Sequence, residues 1–205
     1  MDLLIATTNK NKIIEIKNRF AGIKDLTLLG LGDVLPLGES FDVEETGTTF
    51  EENAGIKAKA CGLRFGMPAL ADDSGLCVDA LSGRPGIFSA RYGENDKARI
   101  SKLLGELQGA ASRRAAFVCA IGIYLPAEDR LFTVIGECAG EIAESPAGIN
   151  GFGYDPVFYL PNKGCTMAQL SLEEKNSISH RAAALTKAAP LLADIIRQSK
   201  SEEKR

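Results

Sequence analysis

The residues of this chain best suited to chemistry are carboxylates and lysines. Asp72-Asp73-Ser74-Gly75 follows an apolar run from Pro68 to Ala71, and the carboxyl end of a strand in an α/β sheet is where ligands usually bind. Adjacent side chains on an extended backbone point in opposite directions, so one carboxylate is expected to face a ligand. The other is expected to brace the loop through backbone amides. Glu44-Glu45, in the preceding glycine-rich loop, can bring a second carboxylate to the same place. Hard oxygen donors with neither Cys nor His among them suit Mg²⁺, with Mn²⁺ as the alternative. Taken alone, the same acids read equally well as an Asx-turn in a solvated loop.

The basic groups answer these acids. Thr7, Asn9, Lys10 and Lys12 lie where a first strand turns into a helix, and free amides at a helix N-terminus can hold phosphate. An ordinary N-cap with solvated lysines explains the same residues. Asn53 and Lys57 are four apart on a second helix and share a face; a plain exposed lysine is the blander account. Arg91, in Ser89-Ala90-Arg91-Tyr92, can clamp a phosphate or pair with a structural acid. Phe152-Gly153-Tyr154-Asp155-Pro156 sets aromatics beside a carboxylate, so that a base could stack on Phe152 and donate to Asp155, unless the loop is a structural plug. Lys175, followed by Ser179-His180-Arg181, offers donors to a purine carbonyl; the alternative is a capping histidine beside a surface arginine.

Stepwise hydrophobic patterning supplies the elements that must position these groups. Leu3 to Ala6 reads as a buried strand, with Ile13, Ile16 and Phe20 at helical spacing behind it. Strand, polar turn and helix open an α/β fold. Further expectations are a strand at Leu26 to Leu29, a loop from Gly30 to Gly47, and a helix to about Arg64 begun by overlapping capping boxes in Thr48-Thr49-Phe50-Glu51-Glu52. A short strand over Pro68 to Ala71, a loop over 79–93 and a helix over Glu94 to Leu107 follow. Ala115 to Leu125 and Leu131 to Ile142 read as a hairpin, 145–165 as a loop, and Ala182 to Ile196 as a helix kinked or restarted at Pro190. We expect one domain over residues 1–198 and a frayed tail over 199–205.

Several function classes are excluded. No Gly-x-x-x-x-Gly-Lys-Ser/Thr occurs, Gly151-Phe152-Gly153 lacks a third glycine, and Ser74 is not in a Gly-x-Ser-x-Gly elbow. With His180 the sole histidine, multi-histidine zinc sites and acid–base relays are ruled out. The net charge of −3, from 27 acids and 24 bases, argues against nucleic acid as a partner. Five cysteines, an odd number without a Cys-x-x-Cys pair, read as free thiols in a reducing compartment. No run approaches the roughly eighteen apolar residues of a membrane span, and Met1 to Ala6 lacks the basic start of a signal peptide, so no membrane partner and a cytoplasmic location are expected.

Read together, the segments resemble one family: the non-canonical purine nucleoside triphosphate pyrophosphatases, also called inosine triphosphate pyrophosphatases or Ham-type proteins. The resemblance is carried by Thr7-Thr8-Asn9-Lys10-Asn11-Lys12, Phe50-Glu51-Glu52-Asn53-Ala54 with Lys57, Ala71-Asp72-Asp73-Ser74-Gly75-Leu76, Gly86-Ile87-Phe88-Ser89-Ala90-Arg91-Tyr92, Gly151 to Pro156, and Glu174-Lys175 with Ser179-His180-Arg181. These occur in the family's order. Asn11, where many bacterial members have glycine, and the helix glycines Gly55 and Gly62 depart from the pattern.

The resemblance implies an elongated α/β fold, a central mixed sheet with flanking helices and two lobes around a nucleotide cleft, usually as a homodimer. It implies Mg²⁺-dependent hydrolysis of ITP, dITP and XTP to monophosphate and pyrophosphate. Asp73 then matches the catalytic acid and a metal ligand, with Glu44 or Glu45 completing the metal shell and Ser74 at the substrate. Thr7, Thr8, Asn9, Lys10, Asn11 and Lys12 match the triphosphate loop, helped by Asn53 and Lys57. Phe152, Gly153, Tyr154, Asp155, Lys175, His180 and Arg181 match the base pocket. Two other readings stand beside this one: a Maf-type pyrimidine nucleotide pyrophosphatase, and a nucleotide sensor without turnover.

Overall fold

A computed structural model describes residues 1–36, 39 and 41–202. Residues 37, 38 and 40 of the expected acidic loop, and 203–205 of the expected tail, lie outside the described residues. The strands are β1 (Asp2–Ile5), β2 (Thr27–Gly30), β3 (Ala69–Val78), β4 (Arg114–Leu125), β5 (Arg130–Ile142), β6 (Phe158–Leu160) and β7 (Cys165–Thr166). The helices are α1 (Lys10–Phe20), α2 (Leu31–Val34), α3 (Phe50–Phe65), α4 (Asp96–Glu106), α5 (Leu172–Ile178) and α6 (His180–Glu202). The sheet is mixed, in the order β2-β1-β3-β4-β5-β6-β7. Strand β1 runs parallel to β2 and β3, whereas β6 runs antiparallel to β5 and β7.

The chain forms two compact units: Met1–Asp73, Ala120–Gly136 and Ala184–Arg205 in the first, Ser74–Cys119 and Glu137–Ala183 in the second. In the first unit Leu4, Ala6, Ala58, Ala69, Ala71 and Tyr124 pack into one apolar cluster. Helix α3 starts where the sequence indicates. The Thr49 hydroxyl accepts from the Glu52 N–H at 3.1 Å, and the Glu52 carboxylate accepts from the N–H groups of Thr49 and Thr48. The glycines of α3 have a packing reason. A Cβ on Gly55 would stand 2.8 Å from Leu131, and one on Gly62 2.5 Å from Tyr124. On the facing strand, a Cβ on Gly122 would stand 2.8 Å from the Ala54 carbonyl oxygen. Backbone therefore lies directly on backbone here, which fixes the height of α3 and of the side chains it presents.

In the second unit Leu76, Leu103, Phe117, Tyr154, Phe158 and Met167 belong to a separate apolar cluster. Helix α4 is capped by Asn95, whose side chain accepts from the Ala98 N–H, and α5 by a Ser171–Glu174 capping box.

Four expectations need correction. Strand β3 does not end at Ala71 but runs on through Asp72-Asp73-Ser74-Gly75 to Val78, burial and sheet pairing overriding the weak strand preference of those residues. The expected loop over Gly30 to Gly47 holds the helical turn α2, and that over 145–165 holds β6. The last helix does not restart at Pro190, which sits inside a single α6 that extends to Glu202. Among the described residues no helix is long and apolar enough to cross a membrane.

Candidate active site

In the first unit, α3, β3 and the loop before α3 bring four sequence-predicted residues together. Lys57 Nζ lies 2.7 Å from Glu45 Oε1 and 3.3 Å from Asp73 Oδ1. Asn53, fully buried, donates through Nδ2 to Asp73 Oδ2 at 3.3 Å and accepts from the Gly47 N–H at 2.8 Å. One amide thus ties the acidic loop to the carboxylate. Glu44 is exposed, so the geometry separates the two glutamates and favours Glu45.

Alternation along β3 sends Asp72 and Asp73 to different partners. Asp72 Oδ2 pairs with Lys12 Nζ at 3.0 Å rather than with Lys57. Burial pushes the Asp73 carboxyl above the usual carboxylate range; Lys57 opposes that, Glu45 adds to it and Asn53 opposes it. Burial likewise works against the Lys57 ammonium, but Asp73, Asp72 and Glu45 outweigh it and hold its pKa above the ordinary value. Two carboxylates sharing one ammonium leave an excess negative charge, which makes the cluster hold its protons tightly.

Thr7, Thr8, Lys12, Glu45, Lys57 and Asp72 line one cavity of ≈ 220 Å³. Phe41, Asp42 and Cys61 line it too, and no motif or spacing signalled them. At the start of α1, Asn9 is the N-cap: its Oδ1 accepts from the N–H groups of Asn11 at 3.0 Å and Lys12 at 3.3 Å. Asn9 therefore occupies two of the amides expected to meet phosphate, while Lys10 and Asn11 are exposed.

The second unit holds the remaining residues. Arg181 is 1% exposed, which rules out the surface-charge account, and its Nη2 donates to Ser74 Oγ at 3.0 Å. His180 stacks on Phe117, ring centroids 4.8 Å apart, and the capping duty falls to Ser179, whose hydroxyl accepts from the Ala182 N–H. Lys175 Nζ lies 2.7 Å from Asp155 Oδ2 and 4.4 Å from the centre of the Phe152 ring, which Arg181 also approaches at 6.0 Å. Asp155 accepts from the Phe152 N–H as well, at 2.9 Å, so it braces its own loop. Tyr154 is turned into the core, its hydroxyl donating to the Ser89 carbonyl at 3.0 Å. Arg91, by contrast, is exposed beside Phe88.

The sequence pattern of the Ham1 family matches residues 3–191. The chain belongs to the Ham1 family. It is 50% identical over 193 residues to a dITP/XTP pyrophosphatase of Geobacillus kaustophilus, with 91% of each chain covered. It is 51% identical over 188 residues to a dITP/XTP pyrophosphatase of Geobacter sulfurreducens, covering 89% of this chain and 92% of the relative. Among solved structures, a HAM1 protein from Coxiella burnetii superposes with a TM-score of 0.86 at 39% identity, over 95% of this chain and 99% of that one. The Ham1 protein of Staphylococcus aureus gives 0.83 at 44%, over 97% and 100%.

A hard divalent cation fits the first-unit cluster of this Ham1 protein. Glu45 and Asp73 already converge on one cation, the Lys57 ammonium. Among the described residues no three Asp, Glu, His or Cys side chains gather into a full cage. Two carboxylates, with phosphate oxygens and water completing the shell, is how Mg²⁺ is usually held.

Proposed function

We propose that this Ham1-family protein is a Mg²⁺-dependent nucleoside triphosphate pyrophosphatase acting on dITP, XTP and ITP. The observation that carries the reading is the Glu45–Lys57–Asp73–Asn53 cluster beside the Thr7–Lys12 turn. The dITP/XTP pyrophosphatase names of relatives about half identical to this chain supply the substrate class. In this reading Asp73 and Glu45 hold the metal, which supplies charge neutralisation at the phosphates when bound.

Asp73 orients the attacking water and takes its proton. The water oxygen bonds to the α-phosphorus as the bond to the bridging oxygen breaks, and pyrophosphate leaves. A carboxyl held above its usual range by burial is a better proton acceptor than an exposed one, while Lys57 beside it favours the charged form. Lys57 and Lys12 take up charge on the departing phosphates. In the second unit Phe152 offers a ring to the base, and Arg181 and His180 offer donors to O6. An adenine amino group would set donor against donor there, a mismatch that a built hydrogen-bond site can reject by roughly 10⁴–10⁵. The family resemblance supports a cytoplasmic homodimer as the working form.

The test is pyrophosphate release from dITP, XTP, ITP, dATP, GTP and dTTP, with Mg²⁺ and with chelator. Fast release confined to the first three and abolished by chelator is expected, as is its loss in a folded Asp73→Asn protein. A dTTP preference would move the protein to pyrimidine chemistry. Full activity of Asp73→Asn would overturn the mechanism.

A further inference from the structure

We propose that Asp96, the first residue of α4, is a positioning residue for base recognition: it sets the backbone that carries Phe152. The inference rests on the functional reading above. Two consecutive peptide N–H groups run through this loop, and each meets a different carboxylate. The Phe152 N–H donates to Asp155 Oδ2 at 2.9 Å, and the Gly153 N–H donates to Asp96 Oδ2 at 2.8 Å. Asp155 is three residues on and moves with the loop. Asp96 is 57 residues away in sequence and ties the loop to a helix whose Ile100 and Leu103 are rooted in the apolar core.

The anchor is itself oriented. Asp96 Oδ1 accepts from Arg99 Nη1 at 2.6 Å, and Arg99 Nε donates to the Gly93 carbonyl at 3.2 Å. Both carboxylate oxygens are therefore engaged, one to hold the acid and one to hold the loop. Gly153 has φ +63°, a left-handed conformation that disfavours other residues and that lets the two successive N–H groups diverge to separate acceptors. Phe152, Gly153 and Asp96 line one cavity of ≈ 370 Å³. On the ring itself Lys175 is already placed. Fixing the backbone on both sides of the Phe152 Cα leaves its ring little freedom, and preorganisation of that kind shows as affinity. Asp96 acts through Gly153 and Phe152 and is not placed against the base.

The experiment compares wild type, Asp96→Ala, Asp96→Asn and Arg99→Gln. It measures kcat and KM for dITP and XTP, and the dissociation constant of the monophosphate product by calorimetry. Loss of one partly exposed, charge-assisted hydrogen bond should raise KM and the product dissociation constant roughly three- to tenfold in Asp96→Ala, with kcat little changed. Asp96→Asn keeps an acceptor for the Gly153 N–H and should recover most of the loss, while Arg99→Gln should fall between. A residue serving stability alone would lower the melting temperature of Asp96→Ala and leave KM per folded molecule where it was; that result overturns the inference. If Asp96→Ala does not fold, an Arg99→Gln that keeps wild-type KM overturns it equally, since the freed carboxylate should cost affinity. Failure of the wild type to release pyrophosphate from either nucleotide would instead sink the functional reading, and the inference with it.

Discussion

Consider neutralising Asp155 by the isosteric change Asp155→Asn. Its partner Lys175 is 5% exposed as a residue, and the pair is closed at 2.7 Å. The amide still offers an oxygen to the Phe152 N–H, so the perturbation is almost purely one of charge. Breaking a buried ion pair from one side costs about 3–5 kcal/mol, because the remaining ion keeps its desolvation penalty and loses its counter-charge. In a chain of this length each kcal/mol moves the melting temperature by about 2–4 °C, so Asp155→Asn should melt roughly 6–20 °C lower. Lys175→Met should cost a similar amount, since it takes the Lys175 charge away from a buried carboxylate and removes the cation from the Phe152 ring. With both charges gone the desolvation of both ions is relieved, and the double variant should be less damaged than the sum of the singles by about 1–3 kcal/mol. Urea unfolding followed by circular dichroism, run on all four proteins, measures that coupling. Costs that add to within about 0.5 kcal/mol would refute the view that the two side chains act as one buried unit.

Four further outcomes are expected. Glu45→Gln should lower Mg²⁺-supported kcat/KM by at least about a hundredfold, whereas Glu44→Gln should stay within about twofold, as exposed substitutions usually do; steady-state pyrophosphate release decides between them. Gly122→Ala would set a Cβ 2.8 Å from the Ala54 carbonyl oxygen and 3.1 Å from the Gly55 nitrogen, both backbone atoms of α3. Helix α3 must then shift, costing about 1–3 kcal/mol in urea titrations, and the KM for triphosphate should rise because Asn53 and Lys57 move with it. Burial pushes the Cys61 thiol up from 9.0 to about 11. The unfolded thiol therefore loses its proton first as pH rises through that window, so the native state binds more protons there and this group's contribution to stability declines from pH 9 towards 11. Native alkylation read by mass spectrometry should label the half-buried Cys77 and Cys165 before the buried Cys61 and Cys119.

What could be read from sequence was what short-range physics dictates. The Thr49–Glu52 capping box, the four-residue spacing of Asn53 and Lys57 and the alternation of Asp72 and Asp73 each depend on a few neighbouring residues, and each is present in the folded chain. Long-range pairing was hidden. Asp-Asp-Ser-Gly reads locally as a turn, yet sheet neighbours draw it into β3. Asp155 and Tyr154 look like ligand-facing groups beside an aromatic, but the partners that turn them inward, Lys175 and Ser89, lie 20 and 65 residues away. Asp96 is an acid in the first turn of α4, a common place for one. Nothing in its own segment points to Gly153.

The charges of the first-unit cluster favour the proposed cation. Lys12 and Lys57 are the lysines that line the cavity, and both are already engaged by Asp72, Asp73 and Glu45. Three carboxylates against two ammonium groups leave the cluster negative, so a triphosphate arriving alone would find no excess positive charge to meet it. The lysines are oriented by their carboxylates but cannot neutralise a polyanion while they serve those carboxylates. A divalent ion held by Glu45 and Asp73 would reverse the sign locally and leave Lys57 free to meet phosphate. If the proposed metal dependence holds, its chelator sensitivity would originate in binding as much as in chemistry, and dITP affinity without Mg²⁺ should be weak even in Asp73→Asn.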